Sequence, residues 1–317
     1  MSSSTVSKLD ELIGLSTAKN FVRRLAKDDH GIHAILLYGA KGSGKAELCR
    51  IITQLWLCNT PGDGGADGTC RACMAFGRGN SPDFLPIEPQ GPSRIIRNEA
   101  ITNTNPDKDD PTPLLTFFRT PPMFSRHKVT VILDAHRMNN SSSNALLKTL
   151  EEPHPHAKLV LTTDSVGSIL PTILSRCLAV ACEAPSGTEL ASAFPDATPD
   201  EIRFAEGTPG RLRTVVERRE LYRNLLQFAQ QLPHRSPGEA LIASEAFQGI
   251  VEGFQIKESG VRAANAEALD ALAIYFAREP SCPPTWPQQI IEAHRRIVGN
   301  GGSAIVLDAL FCGLLAR

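Results

Sequence analysis

HAILLY (residues 33–38), GAKGSGK (residues 39–45) and AELCRIITQLWL (residues 46–57) follow one another without a gap and change character twice. The first is a compact apolar run of strand length, as expected of a strand buried on both faces of a sheet. The last returns to helical spacing through Leu48, Ile51, Ile52 and Leu55. The glycine-rich stretch between them therefore joins a buried strand to a helix, which is what a phosphate-binding loop requires. Gly39, Gly42 and Gly44, with Ser43 among them, let backbone N–H groups converge; the helix N-terminus adds its dipole and Lys45 a point charge. The full pattern puts Ser or Thr after that lysine to hold Mg²⁺, and here the residue is Ala46. A tight glycine turn without a ligand is the other reading of the same letters.

Before this unit, residues 17–27 carry Phe21, Val22 and Leu25 at helical spacing. After it, strands are predicted at residues 84–87, 129–133, 159–162 and 178–181, with helical patterns between them. Alternation of this kind predicts an α/β domain with a mostly parallel sheet and helices on both faces. Past Pro185 the strand signal stops, and helices are predicted over residues 187–193, 199–206 and 210–231, with four more between Pro237 and Arg317. Pro185 and residues 232–237 (LPHRSP) read as linkers, giving domains at 1–184, 185–233 and 234–317, α/β first and all-α afterwards. Residues 89–113, rich in Pro, Asn and Asp, read as a long exposed loop with one short helical turn.

The 317 residues, 42% hydrophobic and 21% charged, are enough for more than one core. Lys+Arg 33 against Asp+Glu 34 leaves a formal net charge of -1, so no overall basic field can hold a nucleic acid unaided. Any DNA contact must come from a local patch or from partner chains. The start lacks a long apolar signal region, and the apolar stretch at residues 304–316 is interrupted by Asp308. The expectation is a chain neither secreted nor membrane-spanning. Eight cysteines, scattered apart from the Cys70/Cys73 pair, read as reduced thiols of a cytoplasmic protein.

VTVILD (residues 129–134) is an apolar strand ending in a carboxylate, the form in which Asp134 would help orient Mg²⁺ through water. In hydrolysing enzymes of this type a Glu follows and activates the attacking water; here it is Ala135, and losing a general base costs about 10² to 10⁴ in rate. His136 is adjacent, either as a substitute base or as a structural residue. SSSNALLKTLEEP (residues 141–153) reads as a helix capped by Ser, with a stripe of Ala145, Leu146, Leu147 and Leu150 for an interface. Thr162 and Thr163 stand at a strand tip, and PTILSRC (residues 171–177) leads into the next strand. On spacing alone, Arg176 is a surface ion-pair residue.

The P-loop region, VTVILDAHRM, SSSNALLKTLEEP, LVLTTD and PTILSRC, in this order, resemble the clamp-loader subunits of bacterial DNA polymerase III, the gamma/tau and delta prime group of the AAA+ superfamily. The resemblance covers residues 9–231 clearly and the last domain only by length and helical content. It implies an AAA+ domain, a three-helix lid and a helical collar, and it makes Arg176 a finger that reaches ATP on a neighbouring subunit, a role worth about 10³ to 10⁵ in rate. It also separates two branches. The ATP-hydrolysing branch keeps Thr after the P-loop Lys, Asp-Glu at the second strand and a lid Arg that senses nucleotide. This chain has Ala46, Asp134-Ala135 and Gly210 in those places, with Arg211 adjacent. Vacant catalytic positions beside a retained finger imply the delta prime branch, with loss of hydrolysis and weak or absent ATP/Mg²⁺ binding.

Family members also carry a four-Cys zinc module just after the P-loop helix. Laid on this chain its positions fall at Cys58, Asp67, Cys70 and Cys73, so a Cys₃Asp zinc site and a module that has lost its metal both stay open. Cys49, Cys177, Cys182, Cys282 and Cys312 read as packed thiols. Arg23, Arg24, Arg50, Arg71 and Arg78 are not clustered enough to establish a DNA track and read mostly as solvated or paired residues, and Phe117, Phe118 and Met123 read as core or as a patch for the clamp. The resemblance implies partners: gamma/tau and delta subunits in a hetero-pentameric ring, the β sliding clamp and primed DNA contacted through phosphates. It gives the chain no polymerase activity of its own. Two rivals stand beside it, an active gamma-type ATPase and a scaffold without a working finger.

Overall fold

The apolar run at residues 33–38 forms the strand on which the first half of the protein is built. In the computed structural model, which describes residues 9–27, 31–62, 65–91, 94–102, 113–253, 260–280, 282–299 and 301–316, it is β1 (Ala34–Tyr38). The other strands are β2 (Phe84–Ile87), β3 (Lys128–Ile132), β4 (Ala157–Thr163) and β5 (Leu178–Ala181), in the spatial order β2-β3-β4-β1-β5 with every pairing parallel. Leu36 pairs with Leu161 on one side and Ala179 on the other. The sheet is the parallel one predicted, flanked by α1 (Ser16–Lys27), α2 (Lys45–Leu57), α3 (Arg71–Gly77), α4 (Leu114–Arg119), α5 (Asn140–Glu151), α6 (Pro171–Leu174) and α7 (Gly187–Ala193).

Period-two alternation sends neighbouring side chains into two separate cores. Ile35, Leu37, Val131 and Val160 pack with Val22 of α1 and Leu48, Ile52 and Trp56 of α2. Leu36, Ile132, Leu159 and Leu161 pack with Phe118 of α4 and Leu146 and Leu150 of α5. Phe117 and Phe118 are therefore core, whereas Met123 is 71% exposed. Because all strands run the same way, the segments that leave β1, β3 and β4 emerge at one edge, where ligand sites of open α/β sheets assemble.

One cap differs from the prediction. Asn139, not a serine, caps α5, its side-chain oxygen accepting the Ser142 N–H at 2.8 Å. Ser142 is buried and donates its hydroxyl to the Ile96 carbonyl at 3.0 Å, tying the helix to the loop after β2. That loop holds the expected short turn at Asn98–Ala100; residues 103–112 of it, like the N-terminal tail 1–8, lie outside the described residues.

From residue 194 onward the chain is helical: α8 (Pro199–Phe204), α9 (Pro209–Glu217), α10 (Arg219–Gln231), α11 (Ala240–Glu252), α12 (Gly260–Phe276), α13 (Trp286–Val298) and α14 (Ser303–Leu315). The single helix predicted over 210–231 is broken at Arg218, which leaves helical backbone (φ -116, ψ 34) and pairs with Glu267 at 2.7 Å. Two compact units result, residues 1–193 and 194–317. The division between the two units falls at 193/194, inside the domain expected at 185–233. Residues 187–193 (α7) belong to the first unit, and Phe228 of α10 packs its ring on Phe247 and Phe311, 5.8 and 5.6 Å away, in one continuous core with α11 and α14. The segment read as a linker begins with Leu232, which is fully buried in that core.

Asp83, wholly buried just before β2, accepts the N–H groups of Met123, Phe124 and Ser125 at 2.7, 2.7 and 3.0 Å and the Ser125 hydroxyl at 2.7 Å. Burial alone would push its carboxyl up; the donors from Ser125, Met123 and Phe124 outweigh it and hold it below the usual carboxylate range. A depressed folded-state value means stability fully present above the ordinary carboxylate pKa and lost as pH falls through the folded value. Asp83→Ala is expected to destabilise the first unit by about 3 kcal/mol at neutral pH and to flatten its loss of stability below about pH 4, read by urea denaturation at a series of pH values.

Candidate functional site

At the sheet edge where β1 ends, the chain turns through Gly39, Gly42 and Gly44 at φ 156°, 83° and 96°. Glycine is obligatory at the first: a Cβ on Gly39 would stand 2.3 Å from the Cys182 carbonyl oxygen beyond β5. Ser43 is buried beside it with a hydroxyl that has no partner among the described residues. The cradle thus has the backbone form a phosphate needs, with an unspent hydroxyl inside it. Lys45, however, is occupied. Its ammonium donates to the carbonyls of Gly39 and Ala40 at 2.7 and 2.8 Å and forms an ion pair with the Asp164 carboxylate at 2.5 Å, so two of its N–H groups and its charge are engaged within the chain. Leu15, at φ 59°, packs against Gly44 from the segment before α1.

Asp134 follows β3 in the left-handed region (φ 50, ψ 50), where Asp is tolerated better than most residues. Its N–H donates to the Thr162 hydroxyl at 3.1 Å, and its carboxylate lies 3.9 Å from both Arg94 and Arg137. Where a base would follow, the Ala135 methyl is buried in the core on the α5 side of the sheet. His136 Nδ1 lies 3.2 Å from the Thr163 hydroxyl, which is also 3.0 Å from the Ser165 carbonyl. Burial holds this imidazole below its ordinary pKa against the pull of Asp134, leaving it neutral at pH 7.

Arg176 is not part of this cluster. It follows α6, and its guanidinium bonds the Thr172 carbonyl at 2.9 Å, the Ser175 hydroxyl at 3.1 Å and the Glu151 carboxylate of α5 at 2.8 Å. Arg211, the neighbour of Gly210 in α9, is engaged by Glu206 at 2.7 Å.

Cys58, Asp67, Cys70 and Cys73 converge: one donor atom from each lies within 4.8 Å of the others. A tetrahedral zinc with Zn–S near 2.3 Å would need sulfurs about 3.8 Å apart, a modest tightening. Cys58 closes α2, while Cys70 caps α3 and Cys73 sits in its first turn. Asp67 accepts the Thr60 hydroxyl and the N–H groups of Cys70 and Thr69, and these bonds hold its carboxyl charged. Burial pushes the Cys58 and Cys73 thiols up, so a metal there would have to displace their protons. The donor set fits zinc. The module is also pinned to the loop before β3: Asn59 donates to the Phe124 carbonyl at 2.9 Å, Arg126 donates to the Cys58 carbonyl at 2.8 Å, and Arg71 lies over the Phe124 ring at 3.6 Å.

The other expectations divide. Cys49, Cys182 and Cys282 are buried, with Cys49 pushed by desolvation to about 12 and Cys182 to about 11. Cys312 is exposed, which corrects its reading as a packed thiol: α14 turns that position away from its core. Arg23 and Arg50 pair with Asp10 and Glu47, at 2.5 and 3.3 Å. Among the described residues, no helix is long and apolar enough to cross a membrane.

Residues 14–186 match the family model described as DNA polymerase III, delta subunit. The chain belongs to that family. Within it the chain is delta-prime-like: it is 34% identical over 169 residues to DNA polymerase III subunit delta' of Pseudomonas aeruginosa, covering 53% of this chain and 48% of that protein. It is also 32% identical over 147 residues to subunit delta' of Bacillus subtilis, covering 46% of this chain and 40% of that one, and 32% identical over 146 residues to subunit tau of Escherichia coli, covering 46% and 21%. The chain thus spans about half or less of the length of these curated relatives. Among solved structures, a gamma subunit-related protein of Thermotoga maritima superposes with a TM-score of 0.51 at 17% identity, over 93% of this chain and 98% of that one, and so shares the fold.

Arg94 and Leu15 carry no motif and went unread in the sequence, whereas Asp164 and Glu151 lie inside the stretches LVLTTD and SSSNALLKTLEEP and only their pairings went unread. A signal existed for Asp164, which directly follows a predicted strand where parallel sheets collect polar groups. Nothing in the letters pairs Glu151 with Arg176. Gly39→Ala is expected to destabilise the first unit by about 1 to 3 kcal/mol, because the obstacle is backbone and cannot rotate away; equilibrium denaturation checks it.

Proposed function

We propose that this chain is the delta-prime-type subunit of a clamp loader of DNA polymerase III, a non-hydrolysing member that lends Arg176 to the ATP site of a neighbouring gamma/tau-type subunit. Its partners are gamma/tau and delta subunits in a hetero-pentameric ring, with the β sliding clamp and primed DNA in the assembled complex, and it works in the cytoplasm at the replisome. One contrast carries the reading. Arg176 bonds nothing in its own P-loop, while that site has Ala46 after the P-loop where a metal ligand would stand, Ala135 after β3 where a base would stand, and a Lys45 already matched by Asp164. A nucleotide on Gly39, Gly42, Ser43, Gly44 and Lys45 would have to displace that carboxylate. The chain's own site is accordingly a support for the sheet edge, and the chemistry it serves lies on another subunit.

The ATPase of the purified chain alone, then of the chain mixed with gamma/tau and delta subunits, primed DNA and clamp, tests this. The expected result is no turnover alone, stimulation in the mixture, and loss of about 10³ or more at the dependent site on Arg176→Ala. An unchanged ATPase on that substitution would sink the finger and leave a scaffold. The neutral His136, next to Ala135 where a base would stand, favours a second reading as an active ATPase; turnover by the chain alone that His136→Ala abolishes would establish it.

We also propose that Cys58, Asp67, Cys70 and Cys73 hold one Zn²⁺, which would bind α3 to the end of α2. Elemental analysis of chain purified without chelator is expected to give one zinc per chain. Asp67→Ala should lower that content or weaken retention by about 10-fold or more, with a reduced melting temperature. Chain that carries no zinc and melts unchanged after exposure to chelator would refute the site.

A further inference from the structure

Glu151 is acidic where its helix disfavours acid. It is the last residue of α5, at the end where the helix dipole favours cations. A residue set against its local preference calls for a compensating partner, and Arg176 supplies it at 2.8 Å. Glu151 is carried on a firmly seated element, since Leu146 and Leu150 of α5 are buried in the core that also holds Leu159 and Leu161 of β4. Arg176 is carried on a short one, the four-residue α6.

Of the five N–H donors of Arg176, Nη1 uses two, on the Thr172 carbonyl and the Ser175 hydroxyl, and Nη2 forms an ion pair with Glu151 at 2.8 Å. The Nε–H and one Nη2–H have no partner among the described residues. The guanidinium is thus fixed from two sides, by its own turn and by α5, with two donors left over. An unpaired arginine at the end of a four-residue helix would spread over many rotamers, and a finger so spread would seldom be in place when charge develops on a phosphate. The Thr172 and Ser175 contacts belong to the same short segment and move with it. Glu151 is the contact that refers the guanidinium to the body of the first unit.

We infer that Glu151 is a positioning residue for Arg176: it holds the guanidinium in the orientation in which its two spare donors can meet an anionic phosphate oxygen presented by a neighbouring subunit. The inference rests on the finger role proposed above. Glu151 touches no substrate and acts only through Arg176.

The test uses the full chain assembled with gamma/tau and delta subunits, primed DNA and clamp. Arg176→Ala first defines the finger-dependent part of kcat. Glu151→Ala is expected to remove about tenfold of that part, with KM for ATP unchanged within about twofold, because placement is lost while the neighbour's ground-state site is intact. Glu151→Gln should retain more activity than Glu151→Ala, since its amide oxygen still accepts a hydrogen bond. Neither substitution should move the melting temperature of the free chain, as the pair is partly exposed. A finger-dependent kcat unchanged in Glu151→Ala would show a mere surface ion pair, and a raised one would show that the carboxylate competes with phosphate for Arg176; either overturns the inference. An ATPase indifferent to Arg176→Ala itself would instead bring down the finger reading, and this inference with it.

Discussion

β1 is hydrogen-bonded on both sides, to β4 and β5, and buried on both faces, and the candidate site depends on that confinement. A strand so enclosed leaves its chain one exit, past the end of the sheet. Gly39 makes that exit against the Cys182 carbonyl, an approach that no side chain would permit. The start of the loop that follows is thus held by a backbone contact, with Ala46 where a Mg²⁺ ligand would stand and Ala135, after β3, where a base would stand.

The charges at this edge are largely paired within the chain, three cations against two carboxylates. Lys45 meets Asp164, Asp134 sits between Arg94 and Arg137, and His136 is neutral against Thr163. Each is the kind of group that a nucleotide and its metal would otherwise engage. The arrangement stabilises the edge as it stands, with any incoming phosphate in competition with a carboxylate already in contact. Arg176 differs, because its own partners leave two donors unspent. The contrast between a Lys45 already paired with Asp164 and a partly unsatisfied arginine elsewhere on the same unit fits the proposed role.

The cysteine module adds a second mechanical theme. It joins the end of α2 to α3, and it is bolted through Asn59, Arg71 and Arg126 to the loop that Asp83 organises. The Asp83 carboxylate, with four donors, is satisfied without any metal. The loop therefore has its own anchor, and the module is fastened to a support that is already fixed.

All five strands, the parallel sheet and the change to helices after Pro185 were legible in the sequence, because a doubly buried strand has to be apolar along its length and a helix has to show a stripe. The vacancies at Ala46 and Ala135 were legible too, since a residue type either can or cannot supply a ligand or a base. Local letters misled where tertiary contacts took over: Ser142 is buried against Ile96 and leaves the cap to Asn139, Arg218 breaks a helix to reach Glu267, and Phe228 joins regions that the Pro-rich segment at 232–237 suggested were separate. The pairings of Lys45 with Asp164 and of Arg176 with Glu151 span 119 and 25 positions of sequence. Residue type by itself determined which groups could do chemistry; the tertiary structure decided which were already spent, because an ion pair depends on the distance between two side chains in space and carries no periodicity along the chain.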